Sequence, residues 1–238
     1  MTKIEKKVYR SYARGLGDCW LSINYILNLA LNKNEVIDMS LWYAKGEKIR
    51  RVDKLKEILP LFEHSDLINL VELESTEPKI HQNLFASFPC IPFKIKWKKN
   101  NSKKICYQFD AKSRKNQRFP SKEIENDILC KIKNMGYKVI KLGGHLTLEE
   151  CVIELSECEM MIGVDTGMPN ITGSVGTPLL YCLNGRDLEA FKILHSNKHF
   201  LFAKDNNEVV KHILSYNEKG LQYYKENAWN IECFKKGE

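Results

Sequence analysis

Short apolar runs alternate with longer amphipathic stretches along nearly the whole chain, and this rhythm restricts the fold more than any single motif. "KVYRSYA", "EVIDMSLWYA" and "LINLVELES" read as strands, with "DCWLSINYILNLALNK" and the helical "VDKLKEILPLFEH" (52–64) between them. After an irregular region at 76–102, with three prolines and a lysine run, the alternation restarts. "KKICYQFDA", "YKVIKLG", "MMIGVDTG", "PLLYCL" and "HFLFA" are strands. "SKEIENDILCKIKNMG", "TLEECVIELSEC", the short "NITGSVG", "DLEAFKILHS" and one long final helix from about 206 fill the gaps. A strand followed by an amphipathic helix and another strand returns the chain parallel to itself, so the sheets are parallel and covered by helices. The expected class is α/β with two parallel-sheet lobes, 1–98 and 99–238, facing a central cleft. No internal repeat is evident.

The 238 residues are enough to bury a sizeable core, and the 43% hydrophobic and 28% charged fractions are those of a globular protein. The formal charge of +7 favours anionic partners: nucleotides, an anionic membrane surface or nucleic acid. None of the eight cysteines forms a C-x-x-C pair, and most sit in apolar patterns where a thiol acts as a small hydrophobe. They are expected to be reduced and buried. With no signal-peptide-like start and no apolar run of membrane-spanning length, a cytoplasmic location is expected.

Three motifs stand out. In "RGLGD", Arg14 to Asp18, two glycines and a carboxylate meet at a strand-to-helix turn, where backbone N–H groups attract anions. The structural alternative makes Asp18 the helix N-cap. The missing third glycine separates the motif from a dinucleotide fingerprint, and no Walker A sequence occurs. In "MMIGVDTGMPNITGSVGTPLLYC", a buried strand ends in Asp165-Thr166-Gly167, and a short helix then leads to Gly176-Thr177-Pro178. A carboxylate and a hydroxyl before a helix N-terminus can grip a sugar and a phosphate together. Gly167 would allow close backbone approach and Gly173 close packing. A capped turn is the structural alternative. An aspartic protease also carries D-T-G, but it needs two such carboxylates on an all-β chain. In the third, Lys112, Ser113, Arg114, Lys115 and Arg118 follow a strand directly, within a 92–118 stretch of ten Lys/Arg and one acid. They could neutralise a diphosphate or form a solvated linker.

The six histidines are scattered with no metal constellation expected, and His145, after Gly143-Gly144, reads as a surface-loop residue. There is no D-x-D triplet, the metal anchor of one class of sugar transferases, and no G-x-S-x-G elbow.

Together these pieces resemble glycosyltransferase family 9, the ADP-heptose:lipopolysaccharide heptosyltransferases. That family opens with a strand, a "GD" turn and a helix, matched here by Gly17-Asp18. Its donor motif, D-[ST]-G-x-x-H followed by small residues and G-x-P, is matched by Asp165-Thr166-Gly167, then Gly173 and Gly176-Thr177-Pro178. Basic residues before an aromatic-proline pair correspond to Arg114, Lys115 and Arg118 before Phe119-Pro120. The likeness covers about 103–215 and the first turn. Asn170 stands where the family has histidine, and the N-terminal lobe is shorter than such lobes are.

The resemblance implies a GT-B fold of two Rossmann-like lobes, the first on the acceptor side and the second binding the nucleotide sugar. It implies metal-independent, inverting transfer of a heptose or hexose from a nucleoside-diphosphate sugar, with no cofactor. Asp18 would be the general base. Gly17, Ser113, Arg114, Lys115, Arg118, Asp165, Thr166, Gly167 and Asn170 would contact the donor, with backbone N–H groups at 166–168 on the departing diphosphate. The acceptor would be a glycan or glycolipid of bacterial surface synthesis, such as a lipopolysaccharide core, placing the protein in the cytoplasm or peripherally at the inner membrane. The alternatives are a phage-type enzyme that glycosylates DNA bases and a non-catalytic sugar-nucleotide binder.

Overall fold

The computed structural model describes residues 8–10, 15–40, 53–71, 88–109, 121–182, 188–195 and 197–232. The chain divides into two compact units, Met1–Lys94 and Ile95–Glu238.

In the first unit, β1 (Val8–Arg10), β2 (Ile37–Ser40) and β3 (Ile68–Val71) form a parallel sheet in that order, with Val8 opposite Asp38 and Ile37 opposite Ile68. Helix α1 (Leu16–Lys33) links β1 to β2. Its buried Cys19, Trp20, Ile23, Ile26, Leu27 and Ala30 recur every three or four residues, which puts them on one face of a 3.6-residue helix. Asn34 closes α1 in the left-handed conformation, φ 52°, its N–H returning to Ala30 and Leu31 carbonyls.

The single helix expected over 52–64 is corrected. Helix α2 covers Asp53–Ile58, and a 3₁₀ turn follows at Leu59–Leu61. Pro60 has no N–H to continue the i→i−4 ladder, so the last turn tightens. The buried Asn24 side chain pins the segment around Pro89: its Oδ1 accepts from Ile91 N at 2.7 Å and its Nδ2 donates to Pro89 O at 3.1 Å. Phe62 and Phe93 pack edge to face at 4.6 Å beside it.

The second unit holds five parallel strands: β4 (Lys104–Gln108), β5 (Lys138–Lys141), β6 (Met160–Gly163), β7 (Leu179–Cys182) and β8 (Leu201–Ala203). Their spatial order is β5-β4-β6-β7-β8. The connecting helices are α3 (Lys122–Asn134), α4 (Leu148–Glu157), α5 (Gly167–Val175), α6 (Leu188–Leu194), α7 (Asn206–Lys219) and α8 (Leu221–Asn227). Their starts are chemically marked. Ser121 accepts from Ile124 N, Thr147 and Glu150 form a reciprocal capping box, and Asp205 accepts from Glu208 N.

The long final helix is also corrected: Gly220, at φ 59° and ψ −145°, breaks it into α7 and α8, a backbone conformation that favours glycine. The break lets Tyr224 of α8 reach the sheet, where its hydroxyl accepts from Leu179 N at 2.9 Å and lies 2.8 Å from His199 Nδ1.

The seven described cysteines are free thiols. Cys19, Cys106, Cys151 and Cys158 are buried, but the expectation of burial fails at Cys130. That residue sits on the solvent side of α3, whose inner face carries Ile128, Leu129 and Ile132. Among the described residues, no helix is long and apolar enough to cross a membrane.

Candidate functional site

From β4 the chain moves outward to β5, then crosses back to lay β6 on the other side of β4. Such a reversal of winding opens a crevice at the carboxyl ends of the two inner strands, where ligands of doubly wound sheets bind. The pair register places Gln108, the last residue of β4, opposite Gly163, the last of β6. Beyond Gly163 the chain runs through Val164-Asp165-Thr166 into α5.

Thr166 is the N-cap residue of α5, extended at φ −139°, yet its side chain does not cap its own helix. Its Oγ1 donates to Gln108 Oε1 at 2.5 Å, and the same oxygen accepts from Met168 N at 3.3 Å. The helix is therefore capped from the neighbouring strand. Of the backbone N–H groups at 166–168 expected on a diphosphate, that of Met168 already has an acceptor within the chain.

Two glycines make the arrangement possible. A Cβ on Gly163 would stand 2.6 Å from Pro169 Cγ and 2.9 Å from Gln108 O, so a bare backbone is what lets the first turn of α5 lie against the sheet. Gly143, at φ +85° after β5, would put a Cβ 3.0 Å from Gln108 Nε2. The ends of β5, β4 and β6 thus converge on one glutamine side chain.

Behind the turn lies a buried polar cluster. Asp165 Oδ1 is 3.7 Å from His195 Nε2, at side-chain exposures of 18% and 8%, so the carboxylate is the more open of the two. His195 packs among rings, 4.2 Å from Phe191 and 5.3 Å from Tyr181 between centroids. Lys198 is 1% exposed; its Nζ donates to Asn170 Oδ1 at 2.6 Å and lies 3.2 Å from His195 Nδ1. Asn170 Nδ2 in turn donates to Thr166 O at 2.8 Å. An ammonium withdrawn from water is costly unless polar groups receive its protons, and these two side chains do so. Asn170, in the motif position of the histidine, therefore faces inward to a lysine.

In the first unit, Gly15 and not Asp18 is the N-cap of α1, which corrects the capping alternative. The helix begins at Leu16, so Gly17 and Asp18 occupy its first turn, where a carboxylate opposes the positive end of the helix. Asp18 is half-buried, its Oδ2 4.0 Å from where a Gly15 Cβ would stand, and its carbonyl accepts from the Ser22 hydroxyl at 2.9 Å. Arg14, Lys112, Ser113, Arg114, Lys115, Arg118, Phe119 and Pro120 lie outside the described residues. His145 is exposed after Gly143-Gly144.

Gln108, Gly163, His195 and Lys198 were not among the residues the motifs singled out. A polar residue closing an apolar strand could have flagged Gln108. Nothing in "HSNKHF" announces a buried lysine. Among the described residues, no group of three or more His, Cys, Asp or Glu could hold a metal ion.

No protein-family profile matches the sequence, and no curated protein does. Solved structures do. One is a bacterial iron-containing dodecameric glycosyltransferase, TibC, from enterotoxigenic E. coli H10407, at 12% identity and a TM-score of 0.53 over 74% of this chain. Another is dodecameric iron-containing heptosyltransferase TibC in complex with ADP-D-β-D-heptose, at 11% identity and a TM-score of 0.53 over 75% of this chain. This chain spans 58% of the length of each. The described residues offer no His, Cys, Asp or Glu cluster fitted to the iron of those proteins. At this identity the likeness establishes the fold alone: a parallel α/β architecture shared with those structures.

Proposed function

We propose that the protein is a glycosyltransferase that moves a heptose or hexose from a nucleoside-diphosphate sugar to an acceptor hydroxyl with inversion at the anomeric carbon. The observation that carries this reading is the junction at the carboxyl ends of β4 and β6. There a partly open carboxylate (Asp165), a hydroxyl (Thr166) and the start of α5 stand together at the winding reversal of a transferase-type sheet.

Asp165 accepts hydrogen bonds from sugar hydroxyls. The diphosphate lies toward the positive end of α5, beside Thr166 and Gly167, and its charge is met by Ser113, Arg114, Lys115 and Arg118. Asp18, next to Gly17, takes the proton of the acceptor hydroxyl as its oxygen forms a bond to the anomeric carbon. The bond to the phosphate oxygen breaks with its electron pair, and the nucleoside diphosphate departs. The chain's own carboxylates and cations suffice for this scheme, which draws on no metal or cofactor. The acceptor is a glycan or glycolipid, and the basic surface suits an anionic membrane beside it. Nucleic acid is the alternative acceptor, favoured by the exposed Lys96, Lys98, Lys99 and Lys103 of one short run; steeply salt-dependent binding to duplex DNA would support it.

The test combines titration of nucleotide sugars, ADP-heptose included, with a transfer assay on wild type and Asp18→Asn. Donor affinity should survive the substitution while turnover falls by about 10²–10⁴-fold. Unchanged turnover removes Asp18 from the mechanism, and binding without turnover against any acceptor leaves a sugar-nucleotide binder.

A further inference from the structure

Lys198 is a buried charged group beside the candidate site that this scheme leaves unused. Its contacts with His195 and Asn170 both lead back to the same dipeptide. Through His195 it reaches the side chain of Asp165, and through Asn170 it reaches the main-chain carbonyl of Thr166.

We infer that Lys198 is a positioning residue that sets the tautomer of His195 and thereby holds the Asp165 carboxylate toward a sugar. This rests on the reading of Asp165 given above. An ammonium has three donors and no acceptor. At 3.2 Å from His195 Nδ1 it donates, so Nδ1 carries a lone pair and the proton of the neutral ring sits on Nε2. Nε2 is the atom that faces Asp165 Oδ1 at 3.7 Å, so the carboxylate meets an N–H. That distance exceeds a hydrogen bond, so the N–H orients the carboxylate through charge attraction. In the opposite tautomer two lone pairs would confront each other, and Asp165 would rotate away. Tyr181, Phe191 and Phe200 surround the ring and keep it from flipping to offer the other nitrogen. The second arm fixes the backbone: Asn170 takes the Lys198 proton on its oxygen and spends its own N–H on Thr166 O. Side chain and main chain of the Asp165-Thr166 pair are thus both registered to one buried charge.

The measurement is long-range ¹H–¹⁵N NMR of the imidazoles in the full chain, well above the ordinary titration range of histidine, assigned through His195→Gln. Wild type should show His195 protonated on Nε2, and Lys198→Met should convert it to a mixture or to the Nδ1 form. Titrations with ADP-heptose and with ADP alone accompany it. Because Asp165 reads the sugar, Lys198→Met should weaken ADP-heptose by about tenfold, the loss of one good charged contact, and leave ADP within about twofold. His195→Gln can accept from Lys198 and donate to Asp165, and should keep ADP-heptose affinity within about threefold, whereas His195→Phe should not.

A wild-type ring protonated on Nδ1 overturns the inference whether or not any variant folds. So does equal weakening of both ligands by Lys198→Met, the mark of a merely structural lysine. Wild-type protein that binds neither ligand sinks the transferase reading and the sugar contact with it, while the ring tautomer still decides whether Lys198 sets His195.

Discussion

Gln108 and Thr166 are joined side chain to side chain at 2.5 Å, the glutamine oxygen accepting from the threonine hydroxyl across the two strands where the winding of the sheet reverses. The same oxygen accepts from Met168 N, so one carboxamide caps α5 from the neighbouring strand.

Gln108→Ala removes the acceptor from both donors, and an N–H or hydroxyl left without one costs about 1–3 kcal/mol. Urea unfolding should register that loss. Gln108→Glu keeps the acceptor and adds a negative charge at a helix N-terminus, worth about 0.3–1 kcal/mol in its favour. Its stability should therefore stay near wild type. The same charge repels a diphosphate, so nucleotide-sugar affinity should fall at least about tenfold in calorimetric titration. Unchanged affinity would place the diphosphate elsewhere.

Gly163→Ala inserts a Cβ against Pro169 Cγ and Gln108 O, at 2.6 and 2.9 Å. Overpacking of this kind costs about 1–3 kcal/mol, read as a lower urea midpoint. Removing the proline ring in Gly163→Ala/Pro169→Ala should recover part of the loss, a coupling of at least about 0.5 kcal/mol, because the backbone clash with Gln108 O remains. Strict additivity would mean that α5 shifts as a body.

His199 is buried against Tyr224, and burial pushes its pKa down to about 3. Its folded pKa lies below the unfolded value near 6.5, so at lower pH the unfolded chain takes up a proton that the folded chain refuses. Stability from this group is complete above about pH 6.5 and drains away as pH falls toward about 3, at up to about 1.4 kcal/mol per pH unit. Urea unfolding across that window should show a shallower pH slope in His199→Asn than in wild type. Parallel slopes would show that His199 titrates normally.

Local chemistry made much of the fold legible. Cys19, Ile23, Ile26 and Ala30 spell the buried face of α1, Thr147 and Glu150 mark the start of α4, and the apolar tetrads mark β6 and β7, because each signal is read within one or two turns. Errors came where one residue overrode the local pattern: Pro60 tightened a predicted helix into a 3₁₀ turn, and Gly220 split another in two.

The alternation of apolar strands and amphipathic helices was sufficient by itself to determine parallel α/β units, since side-chain period reports which face is buried, and the D-T-G motif singled out the Asp165-Thr166-Gly167 turn. Strand order belongs to the tertiary structure, and with it the site. Only the placement of β6 beside β4 brings Gln108 to Thr166, 58 positions away, and only the return of the chain into β8 brings Lys198 to Asn170, 28 positions away. Contacts at such separations carry no periodicity; they exist because the packed sheet excludes water there and obliges each buried polar group to find a partner.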